Sequence, residues 1–280
     1  MSSEKVKKRK PEIVVISDVH MGTFGCRAEE LLDYLHSIKP KVLIMNGDII
    51  DIWRFSRRYW DKTHNEIIRR ILKLMTKGTQ VYYITGNHDE LLRRFPEVHA
   101  GNFHLINKLV LNVDGKRAWI FHGDIFDMSI THAKWLAKLG SVGYDFLIML
   151  NSFCNFFLMK FGFNKMSFSK KIKNSVKRAV KHITDFENVA AELAIEKQYD
   201  FLLCGHIHQP VVKTITNEKG EVTYLNSGDW VENMTALEYE KGEWKMFQYE
   251  YPNKQMETQK SNQKTDSTEL IGKSVELQSI

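Results

Sequence analysis

Short apolar runs that end in small or polar residues recur along the chain, and five of them share one grammar, a strand-like stretch delivering a polar loop. Glu12-Ile-Val-Val-Ile-Ser17 precedes Asp18-Val19-His20, and Lys41-Val-Leu-Ile-Met-Asn46 precedes Gly47-Asp48. Gln80-Val-Tyr-Tyr-Ile-Thr85 precedes Gly86-Asn87-His88-Asp89, Arg117-Ala-Trp-Ile-Phe121 precedes His122-Gly123-Asp124, and Asp200-Phe-Leu-Leu-Cys204 precedes Gly205-His206-Ile207-His208. Each run is long enough for a buried parallel strand and too short for a helix. In an open α/β sheet the carboxyl edge of such strands is where ligands bind.

Between these runs the period changes. Leu31, Leu32, Leu35 and Ile38 predict a helix from Arg27 to Ile38, ahead of Pro40. A second is predicted over Thr63 to Lys77, with Ile67, Ile68, Ile71, Leu72 and Met75 inward and Gly78 ending it. Glu90 to Phe95 reads as one or two helical turns, and Phe103 to Phe121 as strands turning at Asp114-Gly115. Ile172, Val176, Val180, Ile183, Val189 and Leu193 trace a long helix ending near Lys197. Val211 to Ile215, Val222 to Leu225, Thr235 to Tyr239 and Trp244 to Tyr249 alternate and turn at Lys219-Gly220 and Lys241-Gly242, which predicts antiparallel strands.

These elements predict an α/β (α+β) domain over residues 12–251, with a helical insertion at about 126–181, a disordered basic leader at 1–11 and a disordered polar tail at 252–280. Within the insertion, Phe146 to Met159 is a 14-residue run without charge, too short to span a bilayer. The flanking stretch from Lys160 to Lys181 carries eight Lys or Arg and no acid. An apolar helix beside a basic one would suit an anionic amphiphile, with Lys170, Lys171, Lys173 and Lys177 meeting phosphates; a helical hairpin with solvated lysines fits the pattern as well.

Composition narrows the picture little. At 280 residues the chain can bury one large core, and its net charge of +6 favours phosphorylated ligands or anionic lipid without choosing between them. Cys26, Cys154 and Cys204 are scattered and odd in number, which argues against a disulfide framework. No apolar secretory segment follows the charged start, so cytoplasmic residence is expected, with peripheral contact at the cytoplasmic face of the inner membrane as an option.

The candidate chemistry lies at the five strand ends. Together they offer Asp18, His20, Asp48, Asn87, His122, His206 and His208, seven metal-competent side chains. Phosphate ester hydrolysis needs a nucleophile at neutral pH and relief of phosphoryl charge, and two cations roughly 3.5–4 Å apart supply both. Asp48, central in the set, is the natural bridge between them. Mixed imidazole, carboxylate and amide ligation suits Mn²⁺, Fe or Zn²⁺ better than Ca²⁺ or a structural thiolate zinc site, and a manganese pair is expected, with Fe or Zn²⁺ as alternatives. His88 is expected to serve the leaving oxygen, with Asp89 setting its tautomer. Asp124 is expected to orient a ligand imidazole. Arg54, Arg57 and Arg58, close after Asp48, are candidates to fork onto substrate phosphate; a solvated basic loop is the plainer reading.

Asp18-x-His20, Gly47-Asp48, Gly86-Asn87-His88-Asp89, His122 and Gly205-His206-x-His208, in that order, resemble the signature of the calcineurin-like metallophosphoesterases over about residues 12 to 250. The resemblance implies a sandwich of mixed sheets flanked by helices, with the insertion as a cap. It also implies two metal sites, Asp18, His20 and His208 completing one with Asp48, and Asn87, His122 and His206 the other. Within that family, Trp53 after Gly47-Asp48, the His122-Gly123-Asp124 block, Gly228-Asp229-Trp230 and the helical insertion are similar to the UDP-2,3-diacylglucosamine pyrophosphatases of lipid A biosynthesis, in their LpxH-like branch. Such enzymes release UMP and an acylated sugar 1-phosphate. That branch usually carries arginine where this chain has His88, so a phosphodiesterase or phosphatase for a soluble nucleotide or other phosphoester is the alternative. No nucleic-acid partner is expected, because the basic residues flank an apolar run instead of interleaving with aromatics along a groove. A non-catalytic scaffold would have lost ligands, and none is lost here. Oligomeric state is not readable from the pattern.

Overall fold

The computed structural model describes residues 8–95, 97–126, 183–184 and 186–251. The expected insertion apart from Phe126, the tail and most of the leader, with Lys170, Lys171, Lys173 and Lys177, lie outside the described residues. The described residues up to Gln248 belong to one compact unit, and Tyr249 to Tyr251 fall outside it.

The apolar runs become strands within a residue or two of where their pattern places them. Ile13–Ile16 is β1, Val42–Asn46 β2 and Gln80–Ile84 β3, with helix α1 over Ala28–Ser37 and α2 over Lys62–Met75 between them. A 3-10 turn over Glu90–Arg94 leads to β4 (Val98–Ala100), β5 (Phe103–Ile106), β6 (Leu109–Val113) and β7 (Lys116–Ile120). Residues 186–196 form α3, followed by β8 (Phe201–Cys204), β9 (Val211–Asn217), β10 (Gly220–Asn226), β11 (Thr235–Glu240) and β12 (Glu243–Gln248).

The strands form two mixed sheets. One has seven strands in the order β12-β11-β1-β2-β3-β5-β4, and the other five in the order β6-β7-β8-β10-β9. Between them lies one core: Ile13, Val15, Ile44, Ile84 and Ile106 from the first sheet meet Ile120, Leu203 and Leu225 from the second. Alternate residues on β1, β2 and β3, such as Val14, Leu43 and Val81, are buried as well, so these strands are apolar on both faces. On the far side of the five-stranded sheet, Phe186, Ala190, Ala191, Ala194 and Ile195 of α3 pack on Trp119, Leu202 and Tyr224. Small residues there let the helix approach the sheet closely.

Strand direction decides where the loops go. β1, β2 and β3 run parallel, and so do β7, β8 and β10. Each sheet therefore delivers its polar loops to a single edge, and backbone bonds such as Asp18 N to Gly47 O at 3.1 Å and Gly205 N to His122 O at 2.8 Å tie neighbouring loops together.

Three expectations are corrected. On α2 the inward residues are His64, Ile67, Arg70 and Leu74, while Ile68 and Leu72 are exposed. Arg70 is buried because it donates to the carbonyls of Leu35 and Ile38, orphan acceptors at the end of α1. On α3, Val189 faces outward and the alanines inward. The late hairpins β9–β10 and β11–β12 are antiparallel about the two turns as their pattern predicts, and β10 adds a parallel pairing with β8 on its other side. Part of the leader is ordered: Arg9 pairs with Ile38 in a bridge and reaches the Glu238 carboxylate at 2.6 Å.

Candidate metal centre

The loops after β1, β2, β7 and β8 converge on one cluster of carboxylates and imidazoles. Asp18, His20 and His208 can place one ligand atom each within 4.8 Å of one another, and Asp48, His122 and His206 form a second such triad. His208 Nε2 lies 3.1 Å from Asp18 Oδ1, and His122 Nε2 lies 3.3 Å from Asp48 Oδ2. Asn87 sits on the loop after β3, whose next amide, that of His88, donates to Asp48 Oδ1 at 2.8 Å.

The backbone bends hard to bring these groups in. Asp18, His20, Asp48, His206 and His208 all have φ between 51° and 67°, the left-handed region that side chains disfavour. Such strain survives only where the surrounding structure holds it, and it concentrates at functional sites. Gly47 and Gly86 are required for closeness: a Cβ on the first would enter the His122 ring, and one on the second would meet Asp48 Oδ1. Gly47 also needs its φ of +80°.

Whether these residues fit cations can be judged from the atoms themselves. His122 Nε2 and Asn87 Oδ1 are buried with no hydrogen-bond partner among the described residues, a costly state unless something binds them. Burial opposes the charge on Asp18, yet the imidazoles of His208 and His122 outweigh it and hold its carboxyl below the usual carboxylate range. Burial likewise opposes the charge on Asp48, and His122 pulls its pKa down to about 2. The reciprocal effect is seen on the rings. Against the pull of burial, Asp48 and Asp18 push His122 up to about 10, and Asp18 pushes His208 up to about 9. Buried carboxylates that draw protons onto their neighbours demand positive charge, and divalent cations on the same atoms would meet that demand. The donor set therefore fits two cations, with Asp48 near both triads.

Second contacts fix the ligand rings. His122 Nδ1 donates to the Asn46 carbonyl at 2.9 Å, which leaves Nε2 to face Asp48. Asp124, expected in that role, instead takes a two-pronged bond from Arg93 at 2.8 and 2.9 Å. Asp229 Oδ2 lies 3.8 Å from His208 Nδ1, and its Oδ1 accepts the amides of Val231 and Glu232.

His88 stands at the cluster's edge with Nε2 4.0 Å from Asp48 Oδ2. Its Nδ1 is bonded not to Asp89 but to Asp51 Oδ2, at 2.9 Å, and the same oxygen lies 3.2 Å from His20 Nδ1. Asp89 faces the other way, accepting from Ile49 N and the Tyr83 hydroxyl, because adjacent side chains on this turn diverge. Burial lowers the pKa of His88, but the bond from Asp51 and the charge of Asp48 raise it overall. Asp51 was given no role by sequence reasoning. Its signal was available as a second acid in Gly47-Asp48-x-x-Asp51, three positions beyond the bridging candidate.

Arg54, Arg57 and Arg58 lie exposed on the loop after Asp51. Arg54 is close enough for its charge to oppose protonation of His88, and its amide donates to Asp51 Oδ1 at 2.8 Å.

A family model described as calcineurin-like phosphoesterase matches residues 11–210. The UDP-2,3-diacylglucosamine hydrolase of Aliivibrio fischeri is 25% identical over 81% of this chain and 94% of its own length. The protein of that name from Shigella sonnei is 28% identical over 69% of this chain and 78% of its own. Among solved structures, an archaeal phosphodiesterase aligns at 13% identity with a TM-score of 0.39, over 84% of this chain and 98% of that one.

Proposed function

Since the chain belongs to the calcineurin-like phosphoesterase family, a family of metal-dependent hydrolases, we propose that it cleaves a pyrophosphate, that of UDP-2,3-diacylglucosamine, to UMP and 2,3-diacylglucosamine 1-phosphate. The observation that carries the hydrolytic part is a run of overlapping triads, Asp18, His20 and His208, then His20, Asp48 and His88, then Asp48, His122 and His206, linked through His20 and Asp48. The lipid substrate is supported by relatives of that name that align over most of their length. On this reading Asp18, His20, His208 and Asp48 hold one cation, and Asp48, Asn87, His122 and His206 the other, with manganese as the proposed metal. When bound, the cations supply a lowered pKa for water and relief of charge on the phosphoryl oxygens.

The chain's own residues do the rest. His88, held by Asp51 through Nδ1, presents Nε2 to the reacting side, and the bond to Asp51 with the charge of Asp48 favours its protonated form, the form that can donate to the departing oxygen. Asp51 is the positioning residue that sets the tautomer and ties His88 to His20. Arg54 stands near enough to meet substrate phosphate. The protein would work in the cytoplasm, touching the membrane that supplies an acylated substrate.

The test is to incubate Mn²⁺-loaded protein with UDP-2,3-diacylglucosamine and with bis-p-nitrophenyl phosphate. Turnover of the lipid well above that of the second compound is expected. Turnover of the second compound alone would favour a soluble phosphodiester substrate, a reading that the histidine at position 88 supports.

A further inference from the structure

Beside His88, outside the donor cluster, lies a half-open groove of about 420 Å³ lined by Ile52, Trp53, Glu90, Leu91, Arg93 and Arg94. Its two walls are the loop after Asp51 and the 3-10 turn after Asp89, and both are pinned. Ile52 N donates to the His88 carbonyl at 3.0 Å. Arg93 is locked to Asp124 and, through Nε and Nη2, to Thr85 at 3.1 and 2.9 Å, so it serves as wall and not as a free charge.

What remains for a ligand is specific. Trp53 is 54% exposed, and its indole centroid lies 5.1 Å from the His88 ring. Leu91 is 43% exposed on the opposite wall. Glu90 and Arg94 stand exposed at the rim, an acceptor for hydroxyls and a donor for carbonyl or phosphate oxygens. An exposed tryptophan costs free energy in water and gains it under a flat ring. The volume lies toward the low end of the roughly 300–1,000 Å³ of ligand pockets, room for one ring and its sugar.

We propose that this groove is a nucleoside subsite, in which the base of a nucleotide substrate stacks on Trp53 between Ile52 and Leu91, with its ribose toward Glu90 and its oxygens toward Arg94. It rests on the reading of the neighbouring cluster as a phosphoesterase centre for a nucleotide ester, and adds where the base is gripped: directly, on Trp53, next to the group that serves the leaving oxygen. Stacking of this kind tolerates any base, so discrimination between bases should be weak.

Two diesters with the same leaving group separate the possibilities: thymidine 5′-(p-nitrophenyl phosphate) and methyl p-nitrophenyl phosphate. Trp53→Ala should lower kcat/KM for the first about tenfold or more and change that for the second less than twofold, while Trp53→Phe restores most of the loss. Equal losses on both diesters would overturn the subsite and reduce Trp53 to a brace for His88. An unchanged nucleoside diester would overturn it as well. If the wild type cleaves neither diester, the hydrolytic reading fails separately, and calorimetry with UMP decides about the groove. Affinity at least tenfold weaker in Trp53→Ala would uphold the subsite, and smaller weakening or unchanged affinity would refute it.

Discussion

The two halves of the donor cluster are held differently. The side chain of His122 is fully buried, its ring fixed by a backbone carbonyl and walled by Gly47. The side chain of His208 is 37% exposed and faces Asp18 across 3.1 Å, with Asp229 near its far nitrogen at a looser 3.8 Å. The contrast is thus between the two rings, since each triad pairs two buried members with one half-buried imidazole, His206 in the one and His208 in the other. A backbone carbonyl in a strand-end loop cannot move without the sheet, whereas an exposed imidazole can adjust to a changing ligand. The His122 ring should fix geometry, and the His208 ring should meet solvent and substrate.

Substitutions can erase or sharpen that contrast. Asp48→Ala removes the carboxylate proposed to serve both cations, so both should be lost together and activity should fall to background, read by metal analysis and turnover. Metal content near wild type in that variant would break the assignment. Next in size, His88→Ala should retain both cations and lower kcat by about 10²–10⁴-fold. Asp51→Asn should act in the same direction but less, and should move the alkaline limb of the kcat profile to lower pH, because the carboxylate raises the pKa of His88, the proton donor. A pH profile that stays in place would deny Asp51 its positioning role.

Chelation should then resolve the halves in time. Under limiting EDTA one cation should leave first, and His208→Ala should speed that phase while leaving the slower one unchanged. A single phase in both proteins would mean that exposure does not set lability.

The smallest effect concerns pH in the metal-free protein. His122 and His208 have folded-state pKa values of about 10 and about 9, above the ordinary 6.5. A raised pKa stabilises the folded state fully below the unfolded value and is lost as pH climbs through the folded one. Melting temperature without metal should therefore fall by a few degrees between about pH 6.5 and 10. Added metal should raise it more at the alkaline end, because the cations compete with those protons. A metal-induced shift that does not grow with pH would contradict this.

Much of this arrangement could be read before any coordinates. The runs ending at Ser17, Asn46, Thr85, Phe121 and Cys204 are too short and too apolar to be anything but buried strands, and strands that share a direction must deliver their loops to one edge. That is why the donor set was legible. Orientation among neighbours was not. Nothing in Gly86-Asn87-His88-Asp89 says that His88 turns to Asp51 while Asp89 turns to Tyr83, since that depends on where the loop after β2 lies in space. The helix faces failed for a related reason: Arg70 is inward because α1 ends beside it with open carbonyls, a tertiary demand that periodicity cannot register. The groove at Trp53 joins two loops about forty positions apart, so its walls were never adjacent in the sequence.

Anomalous diffraction from crystals of the Mn²⁺-loaded protein tests the central claim most directly. Two peaks should appear roughly 3.5–4 Å apart with an Asp48 carboxylate between them, one beside His20 and His208 and the other beside His122 and His206. A single peak, or two peaks that Asp48 does not join, would contradict it.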